Sequence, residues 1–438
     1  MYAAIKRELA DVWLGFFVWT GPNRSAAQAA RQKGTENFVI IAAAGLPWST
    51  SLASSCGLAF LLGFLSTVRP GAFVQSLKHP ASSAALALCL IAVLGVFWAD
   101  GISWAERFRG LTPMAKLLGI PILIYYFSQS DRGRYVLYAF VASCVILMMY
   151  SWVVLYWPGL SIHYKSDQPG IPVKNYIDQS QGFAFCAFAL AAVAVHGLRR
   201  HRRALAISAA TIAAALLANL AFVNVSRTAL VYCPVLAVFF AYRYLGRRHF
   251  WIACMALVVT IAGLWKISSN LQHKVSAAFS EYRAAQKEAG TTSVGQRLEL
   301  WNKSIELFKT APVIGHGTGS AKPLLTRDIP KQADSPANTS GNPHNQTLLF
   351  ALQWGLLGVL ALYAMWGVHL LTFRGEGVVA WIGLVAVVQN ILSSLFNSHL
   401  SDFYQGWLYV LAVGIAAGTI TRTADLQRGS AALGLNRS

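Results

Sequence analysis

Three residues far apart in the sequence could together carry out group transfer: His344, Arg227 and Arg297. A neutral imidazole accepts a proton near ambient pH, so a histidine can activate an attacking hydroxyl as a general base. A guanidinium group is a planar fork that binds two phosphate oxygens at once. Together they predict chemistry in which one side chain activates an acceptor and two others stabilise an anionic leaving group.

His344 stands in the segment Asn342-Pro343-His344-Asn345-Gln346, just before a long hydrophobic run. Asn342 is a favourable N-cap and Pro343 suits the first helical position, so we predict that His344 lies in the first turn of a membrane helix. The positive end of a helix disfavours imidazolium, which predicts a lowered pKa for this histidine. The alternative is a solvent-facing histidine at a loop–helix junction.

Each arginine has a structural alternative. Arg227, in Ser226-Arg227-Thr228, separates two apolar runs with almost no loop. An arginine so close to hydrocarbon is costly unless it is paired or faces a polar cavity, although it could instead snorkel to lipid headgroups. Arg297 precedes Trp301 by one turn on an amphipathic stretch, where it could anchor to headgroups or pair with Glu299. If both arginines converge near a helix N-terminus, they form a pyrophosphate clamp.

Two further candidates lie together in a later polar gap. His399 and Asp402 could bind sugar hydroxyls, or they could cap the last helix. The sequence lacks a GxxxxGK[ST] phosphate loop, and its outer loops lack an HExxH zinc pair and DxD-type carboxylates. We therefore expect no metal and no nucleotide cofactor.

The elements that must position these residues are membrane helices. The chain is 55% hydrophobic and 12% charged, about half the charged fraction of a typical globular protein, which predicts an all-α polytopic membrane protein. The net charge of +19 resides largely in short loops, where it sets topology, so we do not expect nucleic-acid binding. About twelve apolar runs are long enough to span or nearly span a bilayer: 38–48, 50–68, 82–99, 111–128, 135–157, 181–197, 204–224, 229–243, 249–266, 346–371, 377–396 and 404–420.

The basic residues predict how the chain is oriented. Arg199-Arg200-His201-Arg202-Arg203 marks a cytoplasmic loop, and alternate gaps agree, so both termini are expected in the cytoplasm. The divisions that follow are a cytoplasmic or interfacial leader at 1–37, membrane helices 1–9 at 38–267, a large, mostly helical periplasmic loop at 268–344, membrane helices 10–12 at 345–421, and a cytoplasmic tail at 422–438. The candidate residues then share the outer side of the membrane.

At these residues the chain resembles the bacterial O-antigen ligase (lipopolysaccharide ligase) family, within the group that includes O-antigen polymerases and O-linked oligosaccharyltransferases. The matching pieces are Ser226-Arg227-Thr228 after a membrane helix, Arg297 with Trp301 in a loop helix, and Pro343-His344-Asn345 before the next membrane run. About twelve spans with one large loop before the tenth fit the same plan, which implies a GT-C-like glycosyltransferase architecture.

The resemblance implies transfer of a glycan from undecaprenyl pyrophosphate to a sugar hydroxyl of lipid A–core. The reaction would be metal-independent and inverting, at the periplasmic face of a Gram-negative inner membrane, among membrane lipids. His344 would be the general base, and Arg227 and Arg297 would bind the pyrophosphate. Trp301 and Asn345 would contribute to substrate binding.

Three alternatives remain open from the sequence. An O-antigen polymerase would use the same donor but a second lipid-linked glycan as acceptor, and an O-linked oligosaccharyltransferase would glycosylate protein. A flippase or transporter of lipid-linked glycans belongs to another class, in which buried charges line a pathway. The small number of acidic residues at mid-membrane depth, and the absence of a visible repeat, argue against transport.

Overall fold

The fold is built from α-helices. The computed structural model describes residues 24–162, 169–287, 292–327 and 341–432, and within these ranges it contains helices and loops without a β-strand. Two short 3-10 turns, Lys116–Leu118 and Pro158–Leu160, accompany the α-helices. The α-helices are α1 Arg24–Gly45, α2 Thr50–Thr67, α3 Pro70–Leu77, α4 Pro80–Leu94, α5 Trp104–Ala115, α6 Gly119–Phe127, α7 Gly133–Tyr156, α8 Tyr176–Arg199, α9 Arg203–Phe222, α10 Ala229–Tyr244, α11 Arg247–Ile267, α12 Ser269–Lys287, α13 Ser293–Thr310, α14 Ala321–Leu325, α15 Gln346–Thr372, α16 Val378–Ser393 and α17 Phe403–Ala432.

The helices confirm a multi-pass membrane protein. In the described residues, eight helical segments are long and apolar enough to cross a bilayer, with α5 and α6 counted as one. The pair α3 and α4 bends by 82° and could supply a ninth span, and α10 and α16 are shorter apolar helices. With α1, these segments correspond to the twelve apolar runs of the sequence, which supports the predicted plan.

The first helix begins earlier than the hydrophobic pattern indicates. We predicted a separate leader up to residue 37, but α1 starts at Arg24 and runs across that boundary without a break. Glu36 is buried there, lies 3.7 Å from the Arg132 guanidinium, and accepts a hydrogen bond from Ser130. The buried charge of Glu36 is tolerated in this helix because it is paired with Arg132 in the loop before α7. Residues 1–23 lie outside the described part of the chain.

The long loop contains the two helices that its periodicity predicts. The first, α12, begins at Ser269, and the second, α13, is capped by Thr292, whose hydroxyl accepts from the Gly295 N–H at 3.1 Å. Along α13, Leu300 and Ser304 are buried, and the helix packs against α15. The loop therefore rests on the membrane bundle through α13.

A break in α15 receives the turn that follows α13. Gly355 has φ +59° and ψ −152°, a conformation essentially restricted to glycine. Its absent side chain lets the turn approach closely, because a Cβ there would lie 2.5 Å from the Val313 carbonyl carbon. The Leu356 N–H donates to Pro312 and the His316 N–H donates to Leu352. The freed backbone groups of the broken helix are thus satisfied by the loop.

Candidate active site

A polar cavity of about 250 Å³ lies where five segments meet. Its walls come from the start of α8, the turn between α9 and α10, α12, the start of α13 and the loop between α16 and α17. Arg227, Arg297 and His399 line it directly. The lining extends in sequence from Tyr176 to His399, so the cavity is a product of tertiary packing.

Arg227 projects into this cavity from a rigid turn. The preceding Ser226 donates its N–H to Ser180 Oγ at 2.9 Å, and its hydroxyl lies 3.0 Å from that of Thr228. The guanidinium forms a two-pronged ion pair with Glu281 of α12, in which Nη1 donates to Oε2 at 3.0 Å and Nη2 donates to Oε1. That hydrogen bonding raises the pKa of Arg227. Of the two sequence alternatives, the structure favours a paired arginine facing a cavity.

Arg297 reaches the same cavity from α13 without an ion pair among the described residues. Burial lowers the pKa of Arg297, and the nearby positive charge of Arg227 lowers it further. The alternative pairing with Glu299 is not observed among the described residues, since Glu299 is exposed and two positions further along the helix. Two guanidinium groups that repel each other across a half-buried cavity form an attractive site for an anion.

Trp301 lies one turn further along α13 and fixes the approach to His344. Its indole N–H donates to the carbonyl oxygen of Pro343 at 2.7 Å. The helix that carries Arg297 therefore also holds the backbone next to the candidate base. This gives Trp301 a positioning contact with the protein.

The placement of His344 in the first turn of the helix is wrong. Asn345 is the N-cap, since its side chain accepts from the Leu348 N–H at 3.1 Å, and α15 begins at Gln346. His344 precedes the cap with φ +51°, in the left-handed region. Asn342 holds this turn by accepting from the His344 N–H at 2.9 Å. An Asx-type turn thus replaces the predicted cap, because the left-handed residue directs the chain into the helix.

A hydrogen-bond chain fixes the imidazole of His344. Its Nδ1 lies 2.8 Å from Asn397 Oδ1, and Asn397 Nδ2 donates to Asp402 Oδ2 at 3.2 Å. Since the amide nitrogen is directed to the carboxyl group, the amide oxygen faces His344 and must accept from an N–H. Nδ1 therefore carries the proton, and the lone pair of the neutral ring is on Nε2. That is the tautomer a general base requires if Nε2 faces the acceptor.

The pKa of His344 is lowered, as expected, but mainly for a different reason. Burial has the largest effect, and the charge of Arg297 lowers it further, while the Asn397 hydrogen bond raises it. The sequence predicts the shift from the helix end, whereas burial is its largest cause. Burial beside a guanidinium keeps the imidazole neutral at ambient pH all the same.

His399 is the most deeply buried of the predicted residues. It is 0% exposed, and neither ring nitrogen has a hydrogen-bond partner in the described structure. Burial, with the charges of Arg297 and His344, lowers the pKa of His399 to about 3. A neutral imidazole with unsatisfied nitrogens at the cavity wall can bind a hydroxyl group of a ligand.

Asp402 is connected to the cavity indirectly. Burial raises the pKa of Asp402 to about 7, against the opposing effect of Lys116. Lys116 Nζ also donates to the Ser401 carbonyl at 2.9 Å and to the Asp402 carbonyl at 2.6 Å, which anchors this loop. The Asp402 side chain accepts a hydrogen bond from Asn397 Nδ2, and in this way it orients Asn397, which lines the cavity.

Both polar groups of the Asn345 side chain form hydrogen bonds with the protein backbone. Besides capping α15, its Nδ2 donates to the Leu395 carbonyl at 3.0 Å. These two contacts give Asn345 a structural role at the helix start.

The cavity residues that were not singled out from the sequence include Tyr176, Lys274, Glu281 and Asn397. Lys274 and Glu281 are seven residues apart, which places them on one face of α12. That spacing was available in the sequence, but it does not distinguish a solvated face from a cavity wall. Asn397 could have been suspected only from its proximity to His399. No group of three or more His, Cys, Asp or Glu that could hold a metal ion occurs among the residues described.

Two comparisons relate the chain to known proteins. Residues 212–363 match a family model described as O-antigen ligase. That segment includes Arg227, Arg297 and His344, and it ends before His399 and Asp402. An uncharacterised protein of Haemophilus influenzae is 27% identical over 130 residues, which are 28% of this chain and 32% of that protein. The aligned region therefore spans about a third of that relative's length.

Proposed function

We propose, from the O-antigen ligase domain that the chain carries at residues 212–363, that the protein transfers a glycan from undecaprenyl pyrophosphate to a sugar hydroxyl of lipid A–core. Members of that family are glycosyltransferase-like enzymes. The observation that carries the proposal is that Arg227 and Arg297 line one cavity, while His344 adjoins it through its hydrogen bond to the lining residue Asn397 and is close enough for the charge of Arg297 to lower its pKa. The reaction occurs at the periplasmic face of the inner membrane.

His344 acts as the general base in this reaction. Nε2 takes the proton of the acceptor hydroxyl while the hydroxyl oxygen attacks the anomeric carbon of the donor. The bond from that carbon to the phosphate oxygen breaks, and its electron pair goes to the leaving pyrophosphate. A single displacement from the opposite face inverts the anomeric centre.

Arg227 and Arg297 stabilise the charge that develops on the leaving group. Pyrophosphate is a good leaving group, so the protein contributes orientation and electrostatic stabilisation, without ATP. We infer that no metal ion is required, and activity should persist in EDTA. Inhibition by EDTA that a divalent ion reverses would contradict this part of the proposal.

His399 is suited to bind the reacting sugars. Its buried nitrogens lack partners in the described structure, and a sugar hydroxyl can both donate to and accept from an imidazole. Its side chain contributes neutral hydrogen bonds, which suits an uncharged glycan better than pyrophosphate.

Reconstitution tests the proposed function. The purified protein, in proteoliposomes with undecaprenyl-pyrophosphate-linked glycan and purified lipid A–core, should produce glycosylated lipid A–core and undecaprenyl pyrophosphate. A second incubation should replace lipid A–core by more donor. Elongation of the lipid-linked glycan in that incubation, with no transfer to lipid A–core, would identify a polymerase instead. Movement of donor between leaflets without transfer would identify a flippase.

A further inference from the structure

Lys274 is a third cation at the same cavity. It lies on α12, one turn beyond the start of the helix, and its side chain lines the cavity together with Arg227 and Arg297. Its ammonium is 4.4 Å from the centre of the Tyr176 ring. Among the described residues it has no carboxylate partner within ion-pair distance. A half-buried lysine over an aromatic ring is weakly held and can move to a stronger ligand.

The charges around the cavity leave an excess that fits one anion. Arg227, Lys274 and Arg297 are positive and Glu281 is negative. Burial lowers the pKa of the lining residue His399 to about 3 and lowers the pKa of the adjoining His344, which favours a neutral ring in both. The net charge of the lining is therefore about +2. A pyrophosphate esterified at both ends carries one negative charge on each phosphate, which is the same magnitude with the opposite sign.

The ion pair with Glu281 limits how many hydrogen bonds Arg227 can donate to a bound phosphate. Both terminal nitrogens of the guanidinium donate to the Glu281 carboxylate, so that edge of the fork is occupied. Without Lys274, the lining would carry only about one net positive charge against two phosphates. The second net positive charge thus depends on Lys274.

We propose that Lys274 is a further substrate-binding residue whose ammonium moves from the Tyr176 ring to a phosphate oxygen of the lipid-linked pyrophosphate. This inference rests on the proposed function for the identity of the ligand. A lysine suits this role because its ammonium is a compact charge on a flexible stem.

The electrostatics of Lys274 support the same role. Burial lowers its pKa, and the positive charge of Arg227 lowers it further. A bound phosphate would oppose both effects, since a nearby negative charge favours the ammonium form. By linkage, the protonated lysine must bind the anion more tightly than the neutral lysine does.

A binding assay with undecaprenyl pyrophosphate in detergent tests the proposal. The full-length protein is compared with Lys274→Ala, Lys274→Arg and the control Lys309→Ala, which removes an exposed lysine near the end of α13. Loss of a charge-assisted contact should weaken binding by about tenfold. Lys274→Arg should recover most of the affinity, and Lys309→Ala should bind like the unaltered protein.

The donor dependence of transfer gives the second measurement. Lys274→Ala should raise the KM for the lipid-linked donor by more than it lowers kcat. Unchanged undecaprenyl pyrophosphate affinity in a folded Lys274→Ala protein would overturn the proposal, even if transfer to lipid A–core occurs. Weaker binding in that variant, in a protein that performs no transfer, would support Lys274 as a ligand and refute the proposed function.

Discussion

At the scale of single residues, His344 combines backbone strain with a constrained ring. A non-glycine residue in the left-handed region costs about 1–3 kcal/mol, and His344 has φ +51°. Asn342 holds its backbone and Asn397 holds its ring, at 2.9 and 2.8 Å. Two independent hydrogen bonds thus maintain a geometry that the chain would not adopt spontaneously, which is typical of a functional position.

His344→Ala should abolish transfer while leaving donor binding intact. Loss of a general base lowers kcat by about 10²–10⁴-fold, and donor binding depends on other residues. Because the pKa of His344 is lowered by burial, the unaltered enzyme should keep its kcat/KM below the pH at which an ordinary histidine would become protonated. Assays of kcat/KM against pH measure this, and the control His273→Ala removes an exposed histidine. Substantial activity in His344→Ala would refute the base assignment.

Asn397→Leu should lower kcat with little change in donor KM. The substitution removes the acceptor that fixes the Nδ1–H tautomer of His344, so about a tenfold or larger loss is expected. It also removes a hydrogen bond that raises the pKa of His344, so the acid limb of the pH profile should move to lower pH. A variant of exposed Asn302 to leucine serves as the control. An unshifted acid limb would show that Asn397 does not act through the imidazole.

At the scale of elements, the break in α15 joins the loop to the bundle. The turn between α13 and α14 inserts at Gly355, where it replaces the helical hydrogen bonds that the break removes. Trp98 of the bundle adds a contact by donating from Nε1 to the Ile314 carbonyl at 3.0 Å. The position of α13, and hence of Arg297, depends on this junction.

Gly355→Ala should destabilise the protein. A Cβ at this position would lie 2.5 Å from backbone atoms of Val313, and the backbone conformation is unfavourable for alanine, so a loss of about 1–3 kcal/mol or more is expected. Gly367→Ala in the same helix is the matched control, because its Cβ would meet nothing within 4 Å. Apparent Tm in detergent measures the difference. Equal Tm values for the two variants would contradict a structural role for the break.

The sequence indicates which helices exist more reliably than where they turn. The hydrophobic runs predicted α15 and α16, and the stripe through Trp301 predicted α13, because periodicity records burial. The break at Gly355 was not predictable, since an isolated glycine in a long apolar run is ordinary. Nor was the pairing of Arg227 with Glu281, because it depends on how α12 is rotated against the bundle. The local sequence does not determine the rotation of α12 about its axis relative to the bundle.

At the scale of the whole molecule, the cavity is formed by segments predicted to lie on one side of the membrane. The turn that carries Arg227, the long loop and the loop with Asn397 are all outer gaps by the distribution of basic residues. Because these segments line one cavity, they must share one side of the membrane, as the predicted topology has it. A topology with any one of them reversed would place lining residues of one cavity on opposite sides of the bilayer.

Labelling with a membrane-impermeant maleimide should reveal this topology. In a variant whose six native cysteines are replaced by serine, Lys309→Cys should react in intact spheroplasts. His201→Cys, in the basic loop between α8 and α9, should react only after the membrane is permeabilised. Labelling of both positions from the same side would contradict the predicted orientation.

The hydrogen bond from the Trp301 indole N–H to the Pro343 carbonyl has a kinetic consequence. Helix α13 carries Arg297, and through Trp301 it is also hydrogen-bonded to the backbone beside His344. Tilting this helix would therefore displace both Arg297, which binds the leaving group, and His344, the base. An open loop that admits a bulky lipid would thus be unable to activate a nucleophile, including water. The mechanical link would protect an energy-rich glycan from wasteful hydrolysis until the acceptor is in place.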